Sequence, residues 1–195
     1  MIETNLRSTY QKICIDPLLK INALHRVRPA YLTVLACLLG VSVLPLLAFK
    51  LSVWAFVFLL LSGFLDTLDG SLARLTHSAT AKGAALDIVS DRVVEFAVIL
   101  GLFYIEPESR ALPTLLMLGS VLICVTSFLI VGIFTENNSE KSFYYSRGLI
   151  ERAEAFIFFG AMILFPSIFI YTAYLFTLLV LITALVRMIE FFNKE

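Results

Sequence analysis

The stretch Asp66-Thr-Leu-Asp69-Gly70-Ser-Leu-Ala73-Arg74, followed eight residues later by Gly83-Ala-Ala-Leu-Asp87-Ile-Val-Ser-Asp91, decides how this chain is read. It puts four carboxylates into twenty-six residues, in and beside segments that are otherwise apolar. A carboxylate inside a membrane span costs about 2.5–3.5 kcal/mol on insertion scales. Four at helical spacing need a compensating charge, and a divalent metal site is the simplest source. The chain therefore reads as a membrane enzyme whose chemistry lies in this segment.

Composition sets the class around it. The chain is 59% hydrophobic and only 15% charged, with a mean hydropathy of +0.92, far from a soluble domain. Formal net charge is zero, and no basic run suggests a nucleic-acid partner. The first thirty residues are polar and basic, without the apolar run and small-residue site of a cleavable signal. Cys14, Cys37 and Cys124 form no paired framework and read as packing residues.

Six apolar spans are expected at about 30–49, 51–73, 84–105, 111–134, 149–166 and 168–191, each near the roughly 20 residues that cross a bilayer. Pro45, Pro113 and Pro166 lie near span ends or would kink them, and Pro166-Ser167 is expected to be a tight turn between the last two. Gly40, Gly119 and Gly160 are expected to allow close helix contact. Ahead of the spans, Leu6, Tyr10, Ile13, Cys14, Leu18 and Ile21 recur at roughly helical spacing, with Arg7, Lys12 and Lys20 between them. Residues 3–24 thus read as an amphipathic helix in the membrane interface, in one piece or in two divided at Pro17. The expected fold is an all-α membrane protein: one domain over 1–195, with a juxtamembrane helix in 1–28 and a six-helix transmembrane core over 30–192.

Lysine and arginine set the orientation. With the N-terminus inside, the cytoplasmic side receives Arg7, Lys12, Lys20, Arg26, Arg28, Arg74, Lys82, Lys141, Arg147, Arg152, Arg187 and Lys194. The other side receives Lys50 and Arg110, and Arg92 lies within a span. This asymmetry predicts both termini, and the connection between Asp66 and Lys82, in the cytoplasm. The expected location is a prokaryotic inner membrane.

Asp66 and Asp69 are three residues apart at the end of the second span, and Asp87 and Asp91 are four apart near the start of the third. Either spacing puts both members of a pair on one helix face. The short connection allows the four to converge on one or two ions. Oxygen-only ligation suits magnesium, manganese or calcium, and no His or Cys set suggests zinc. Gly70, Ala73 and Gly83 keep the same faces small, and Arg74 suits a phosphate oxygen. A cation transporter or channel using the same aspartates is the alternative from another class. It would be expected to carry ionisable groups deeper and in several spans.

These residues resemble the signature of the CDP-alcohol phosphotransferases, Asp-x2-Asp-Gly-x2-Ala-Arg-x8-Gly-x3-Asp-x3-Asp, at every fixed position and both gaps: Asp66, Asp69, Gly70, Ala73, Arg74, Gly83, Asp87 and Asp91. The resemblance implies transfer of a substituted phosphate from a CDP-linked donor, commonly CDP-diacylglycerol, to an alcohol, with release of CMP. It implies that Asp66, Asp69 and Asp87 are metal ligands for Mg2+ or Mn2+, two ions, and that Asp91 joins the metal site and serves as general base. It assigns Asp66, Gly70, Ala73, Arg74 and Gly83 to the donor, and it implies a homodimer. One departure is visible: family members often carry Pro-Asn before the first span, and here Ala30 follows Pro29.

The acceptor lies outside the signature. Arg147 and Arg152, before the fifth span, are candidates for the phosphate of a phosphorylated acceptor. Pairing of these arginines with Glu151 and Glu154 is the plainer reading. Glycerol 3-phosphate is the first expected acceptor, then inositol phosphate or inositol. An inactive, structural family member is a further possibility, disfavoured because all eight signature residues are present.

Overall fold

A computed structural model describes residues 10–21, 24–134 and 149–193. Among them there is no strand. Six long helices follow one another: α1 (Pro29–Ala48), α2 (Ser52–Leu75), α3 (Ala81–Ile105), α4 (Pro107–Phe134), α5 (Arg152–Leu164) and α6 (Phe169–Phe192). Their bounds lie within a few residues of the six expected spans. Prolines open α1 and α4 at first-turn positions, where the missing N–H has no helical partner to lose. The expected tight turn at Pro166-Ser167 is a 3-10 turn, Pro166–Ile168, that separates α5 from α6.

Among the described residues, four segments are long and apolar enough to cross a membrane: Pro29–Ala48, Ser52–Leu75, Pro107–Phe134 and Pro166–Phe192. Two helices fall short of that standard for different reasons. α3 carries Asp87, Asp91, Arg92 and Glu95. α5 has only 13 residues, or about 20 Å at 1.5 Å per residue, against a hydrocarbon core of about 30 Å. A capping box fixes its start, with the Glu151 and Glu154 side chains each accepting the other's backbone N–H, so Leu149 and Ile150 stay outside the helix. Leu38, Trp54, Leu122 and Ile133 are more than half exposed. In a soluble domain such a surface would be an aggregation hazard, whereas on a multi-pass membrane protein it faces lipid.

The N-terminal segment differs from one continuous amphipathic helix. Within its described residues, a π-helical turn, Gln11–Ile15, runs into one α-helical turn, Asp16–Leu19, and a 3-10 turn, Leu24–Arg26, follows. Pro17 explains the irregularity. It has no N–H to give and its ring crowds the carbonyl four residues back, so the preceding turn widens. Ile15 is completely buried while Ile13 is largely exposed, so the segment still has one docked and one outward side.

The helices fall into two compact units, divided between Ile105 and Glu106. In the first, α1 packs against both α2 and α3. Gly40 makes this possible: a Cβ there would lie 2.5 Å from Val94 Cγ2 and 2.9 Å from Ser62 Oγ. Gly101 does the same lower on α3, against the Leu44 backbone at 3.1 Å. Ser62 Oγ donates to the Ala36 carbonyl at 2.7 Å, which satisfies a hydroxyl buried between α2 and α1. Ala36, Val43, Leu59, Leu72, Val98 and Leu102 fill the centre.

In the second unit α6 packs along α4 and touches α5. Phe176 is its hub, with ring centroids 5.5 Å from Phe159 and 5.6 Å from Phe158. Arg110, expected at a membrane surface, is buried instead. Its guanidinium lies 4.2 Å from the Phe169 ring centroid and donates to the Pro166 carbonyl at 3.2 Å, tying α4 to the turn before α6. Gly119 corrects a further expectation. A Cβ there meets nothing within 4 Å, so no close helix contact among the described residues requires this glycine.

Candidate active site

The site is built on the α2–α3 connection. α2 ends in a Schellman arrangement: Ser78 N–H donates to the Ala73 carbonyl at 3.0 Å and His77 N–H to the Arg74 carbonyl at 3.3 Å. His77 takes the left-handed position that glycine usually fills, with φ of 51°. Lys50, φ 60°, does the same after α1. α3 then starts at a threonine cap, where Thr80 Oγ1 accepts the Gly83 N–H at 3.1 Å. These two end structures fix the approach of the motif-bearing turns.

The left-handed conformation costs a non-glycine residue about 1–2 kcal/mol, and glycine's extra chain entropy returns about 0.5–1 of that. His77→Gly is therefore expected to stabilise the protein by about 0.5–1 kcal/mol. A higher midpoint in thermal unfolding, with unchanged turnover, checks this. Equal or lower stability would show that the His77 side chain contributes more than its backbone costs.

Asp66, Asp69 and Asp87 come together. Each offers one carboxylate oxygen, and the three oxygens lie within 4.8 Å of one another. Asp69 is buried, and Asp66 and Asp87 are half-buried. Asp87 Oδ1 is shielded from solvent and accepts no hydrogen bond from any described residue. At this separation two unit charges repel by about 3–4 kcal/mol with an effective dielectric near 20. Three hard oxygen donors, one without a partner among the described residues, fit a divalent cation of the magnesium or manganese type.

Asp91 is not one of the three. It lies one turn further along α3, with Arg92 Nη2 at 3.8 Å from its Oδ2. That contact is long, and the stronger partner of Arg92 is Glu95, at 2.8 Å from Nη1. Asp66, Asp69 and Asp87 are thus the three that meet at one point, and Asp91 lies one turn further along the same helix as Asp87.

Arg74 is exposed at the end of α2, and its Nη2 donates to Ser71 Oγ at 3.0 Å. A Cβ on Gly70 would stand 3.5 Å from Arg74 Nη1, an ordinary contact. Ala73 is half-buried on the same turn. A Cβ on Gly83 would press on the capping Thr80 hydroxyl at 3.3 Å, so its small size serves the start of α3 as well as any ligand.

In the second unit, Arg147 lies outside the described residues. Arg152 is half-buried at the start of α5, its guanidinium 5.5 Å from the Phe156 ring centroid. The start of α5 is tied to α6 by a hydrogen bond from Ile150 N–H to Thr183 Oγ1 at 3.1 Å. One turn beyond Thr183, on the same face, sits Arg187, one of the arginines expected on the cytoplasmic side. It is 6% exposed. Its hydrogen bonds go to neutral groups, the Cys124 carbonyl at 3.0 Å and Ser127 Oγ at 3.2 Å, while Nε has no partner among the described residues. A buried cation whose partners among the described residues are all neutral is a costly arrangement. Its signal in the sequence was an arginine five residues before the end of a largely apolar helix.

Comparison with known proteins decides the family. The model for the CDP-alcohol phosphatidyltransferases matches residues 26–189. The chain belongs to the CDP-alcohol phosphatidyltransferase family. It is 34% identical over 150 residues to inner membrane protein YnjF of Escherichia coli, covering 73% of this chain and 72% of that one. It is 28% identical over 147 residues to the phosphatidylinositol phosphate synthase of Corynebacterium glutamicum, covering 75% and 67%. Its fold is similar to the crystal structure of Mycobacterium tuberculosis phosphatidylinositol phosphate synthase with CDP-DAG bound, with a TM-score of 0.71, 22% identity and coverage of 88% and 90%. Membership makes this CDP-alcohol phosphatidyltransferase a membrane transferase of phospholipid synthesis, and a transporter reading of the same aspartates is not supported. The two relatives whose names state a reaction are phosphatidylinositol phosphate synthases, and neither supports glycerol 3-phosphate as the first acceptor.

Proposed function

We propose that this enzyme moves the phosphatidyl group of CDP-diacylglycerol to a hydroxyl of a phosphorylated polyol, inositol phosphate first, and releases CMP. The observation that carries the reading is the convergence of the Asp66, Asp69 and Asp87 oxygens within the family signature. Asp66, Asp69 and Asp87 would hold Mg2+ or Mn2+, and Asp91 would join that site. Bound there, the ions supply charge neutralisation of the pyrophosphate and of the departing CMP.

The protein's own residues do the rest. Arg74 binds a donor phosphate oxygen, and the small surface of Gly70, Ala73 and Gly83 admits the cytidine diphosphate beside Asp66. Asp91 accepts the proton of the acceptor hydroxyl as that oxygen attacks phosphorus. Arg152, Arg187 and Arg147 hold the acceptor's phosphate, since the planar donor fork of a guanidinium suits such an oxyanion. All six long helices cross the membrane, and both termini and the site face the cytoplasm of a prokaryotic inner membrane. The N-terminal segment lies in the interface, and the enzyme works as a homodimer.

The test is CMP release by purified protein given CDP-diacylglycerol, magnesium or manganese, and a panel of polar alcohols. Inositol phosphate is expected to support the fastest release. Faster release with glycerol 3-phosphate would overturn the acceptor, and no metal-dependent release with any alcohol would overturn the reading. Arg152→Ala is expected to raise the acceptor KM about 10-fold or more, the worth of one charge-assisted hydrogen bond, with the donor KM little changed. Unchanged acceptor kinetics would remove Arg152 from the site.

A further inference from the structure

The N-terminal segment reaches the donor side of the site through one side chain. Gln11 Nε2 donates to Ser71 Oγ at 3.1 Å and also lies 3.3 Å from Asp16 Oδ1. Ser71, on α2 between Gly70 and Ala73, is 3% exposed. Its hydroxyl donates to the Thr67 carbonyl at 2.8 Å and accepts Arg74 Nη2 at 3.0 Å. One donor and two acceptor positions are all a serine hydroxyl has, so Thr67, Arg74 and Gln11 saturate it, with Gln11 Oε1 at 3.2 Å as a second acceptor for its one proton. A chain of hydrogen bonds therefore runs from the Asp16 carboxylate through the Gln11 amide and Ser71 to the Arg74 guanidinium. Ile15, completely buried, anchors the same segment in place.

We propose that Gln11 and Ser71 are positioning residues for Arg74, so that the N-terminal segment helps set donor affinity without touching the donor. The proposal rests on the reading of Arg74 as a donor-phosphate ligand. Two features of the geometry favour it over simple surface filling. Ser71 is buried among α2 side chains, where its hydroxyl needs every partner it has. Arg74 is exposed and long, so a hydrogen bond at one edge of its guanidinium removes rotamer freedom that a phosphate contact would otherwise have to remove. The two donors to Ser71 come from different elements, so losing Gln11 loosens the hydroxyl that holds Arg74.

The test measures CDP-diacylglycerol affinity of the full chain in nanodiscs with magnesium, together with kcat. Gln11→Leu keeps the side chain's size and removes its donors. It is expected to weaken donor binding about 3- to 10-fold, the usual worth of one hydrogen bond, with kcat within twofold and the acceptor KM unchanged. In the Arg74→Ala background the same change is expected to add nothing, because both act on one contact. Should Gln11→Leu fail to fold, Ser71→Ala asks the same question from the other side, and Ser71→Thr, which keeps the hydroxyl, is expected to restore affinity. Unchanged donor affinity in Gln11→Leu or Ser71→Ala, or full additivity with Arg74→Ala, would overturn the proposal. If Arg74→Ala itself leaves donor affinity unchanged, the donor role of Arg74 fails instead, and the positioning role with it.

Discussion

Asp91→Asn is expected to lower CMP release by about 10²–10⁴-fold, the usual contribution of a positioned general base. The amide has nearly the shape of the carboxylate but cannot take a proton from an attacking hydroxyl. Asp91 stands beside the three-carboxylate group and not within it, and its long contact to Arg92 is secondary to the 2.8 Å pair between Arg92 and Glu95. The variant should therefore fold, insert and bind CDP-diacylglycerol within about threefold of the parent, a difference under 1 kcal/mol. Size-exclusion behaviour and donor affinity check those two points, and steady-state CMP release checks the third. Near-normal turnover would remove Asp91 as the base. Turnover lost together with donor affinity would instead assign it to the metal site alone.

Much of the fold was legible because hydrophobic spans and prolines are local signals. Pro29, Pro107 and Pro166 begin helical segments for the same reason that proline suits a first turn. Gly40 was readable as a close-contact position, whereas Gly119 was not distinguishable from it: a glycine in an apolar span does not reveal whether a neighbour comes near. The ends of α1 and α2 gave no warning either, since Lys50 and His77 occupy left-handed positions where a sequence reader looks for glycine. The break in the N-terminal helix followed from Pro17, but the widened turn before it depends on local crowding that spacing does not show.

The site divides along the same line. The spacing of the two aspartate pairs carried the helix faces, and hence the approach of Asp66, Asp69 and Asp87. It could not separate Asp91 from them, because a difference of one turn along α3 depends on the angle at which two helices meet. Ser71 occupies an unspecified place in the signature, so its hydrogen bonds to Gln11 and Arg74 were invisible without tertiary structure. Positive-inside counting treats every cytoplasmic-end arginine alike, while burial distinguishes Arg187 from one at the surface.

Removing a carboxylate from the three should have opposite effects with and without metal, and that sign reversal is the strongest test of the proposed ion site. Asp69 is buried, and its oxygen sits within 4.8 Å of those of Asp66 and Asp87. In metal-free buffer Asp69→Asn relieves two repulsions, each about 3–4 kcal/mol before proton uptake and solvent screening reduce it. The variant should therefore melt at or above the parent temperature. Adding magnesium to 100 times its dissociation constant stabilises the parent by about 2.7 kcal/mol, which is about 5–10 °C for a chain of this size. The variant should lose most of that gain. Its turnover should fall by about a thousandfold, since each factor of ten corresponds to 1.36 kcal/mol and a metal ion contributes several. A variant that loses activity but keeps the magnesium-induced rise would place the ion elsewhere. One that melts lower in the metal-free state would mean that the buried Asp69 carboxylate is held by protein hydrogen bonds worth more than the repulsion it suffers.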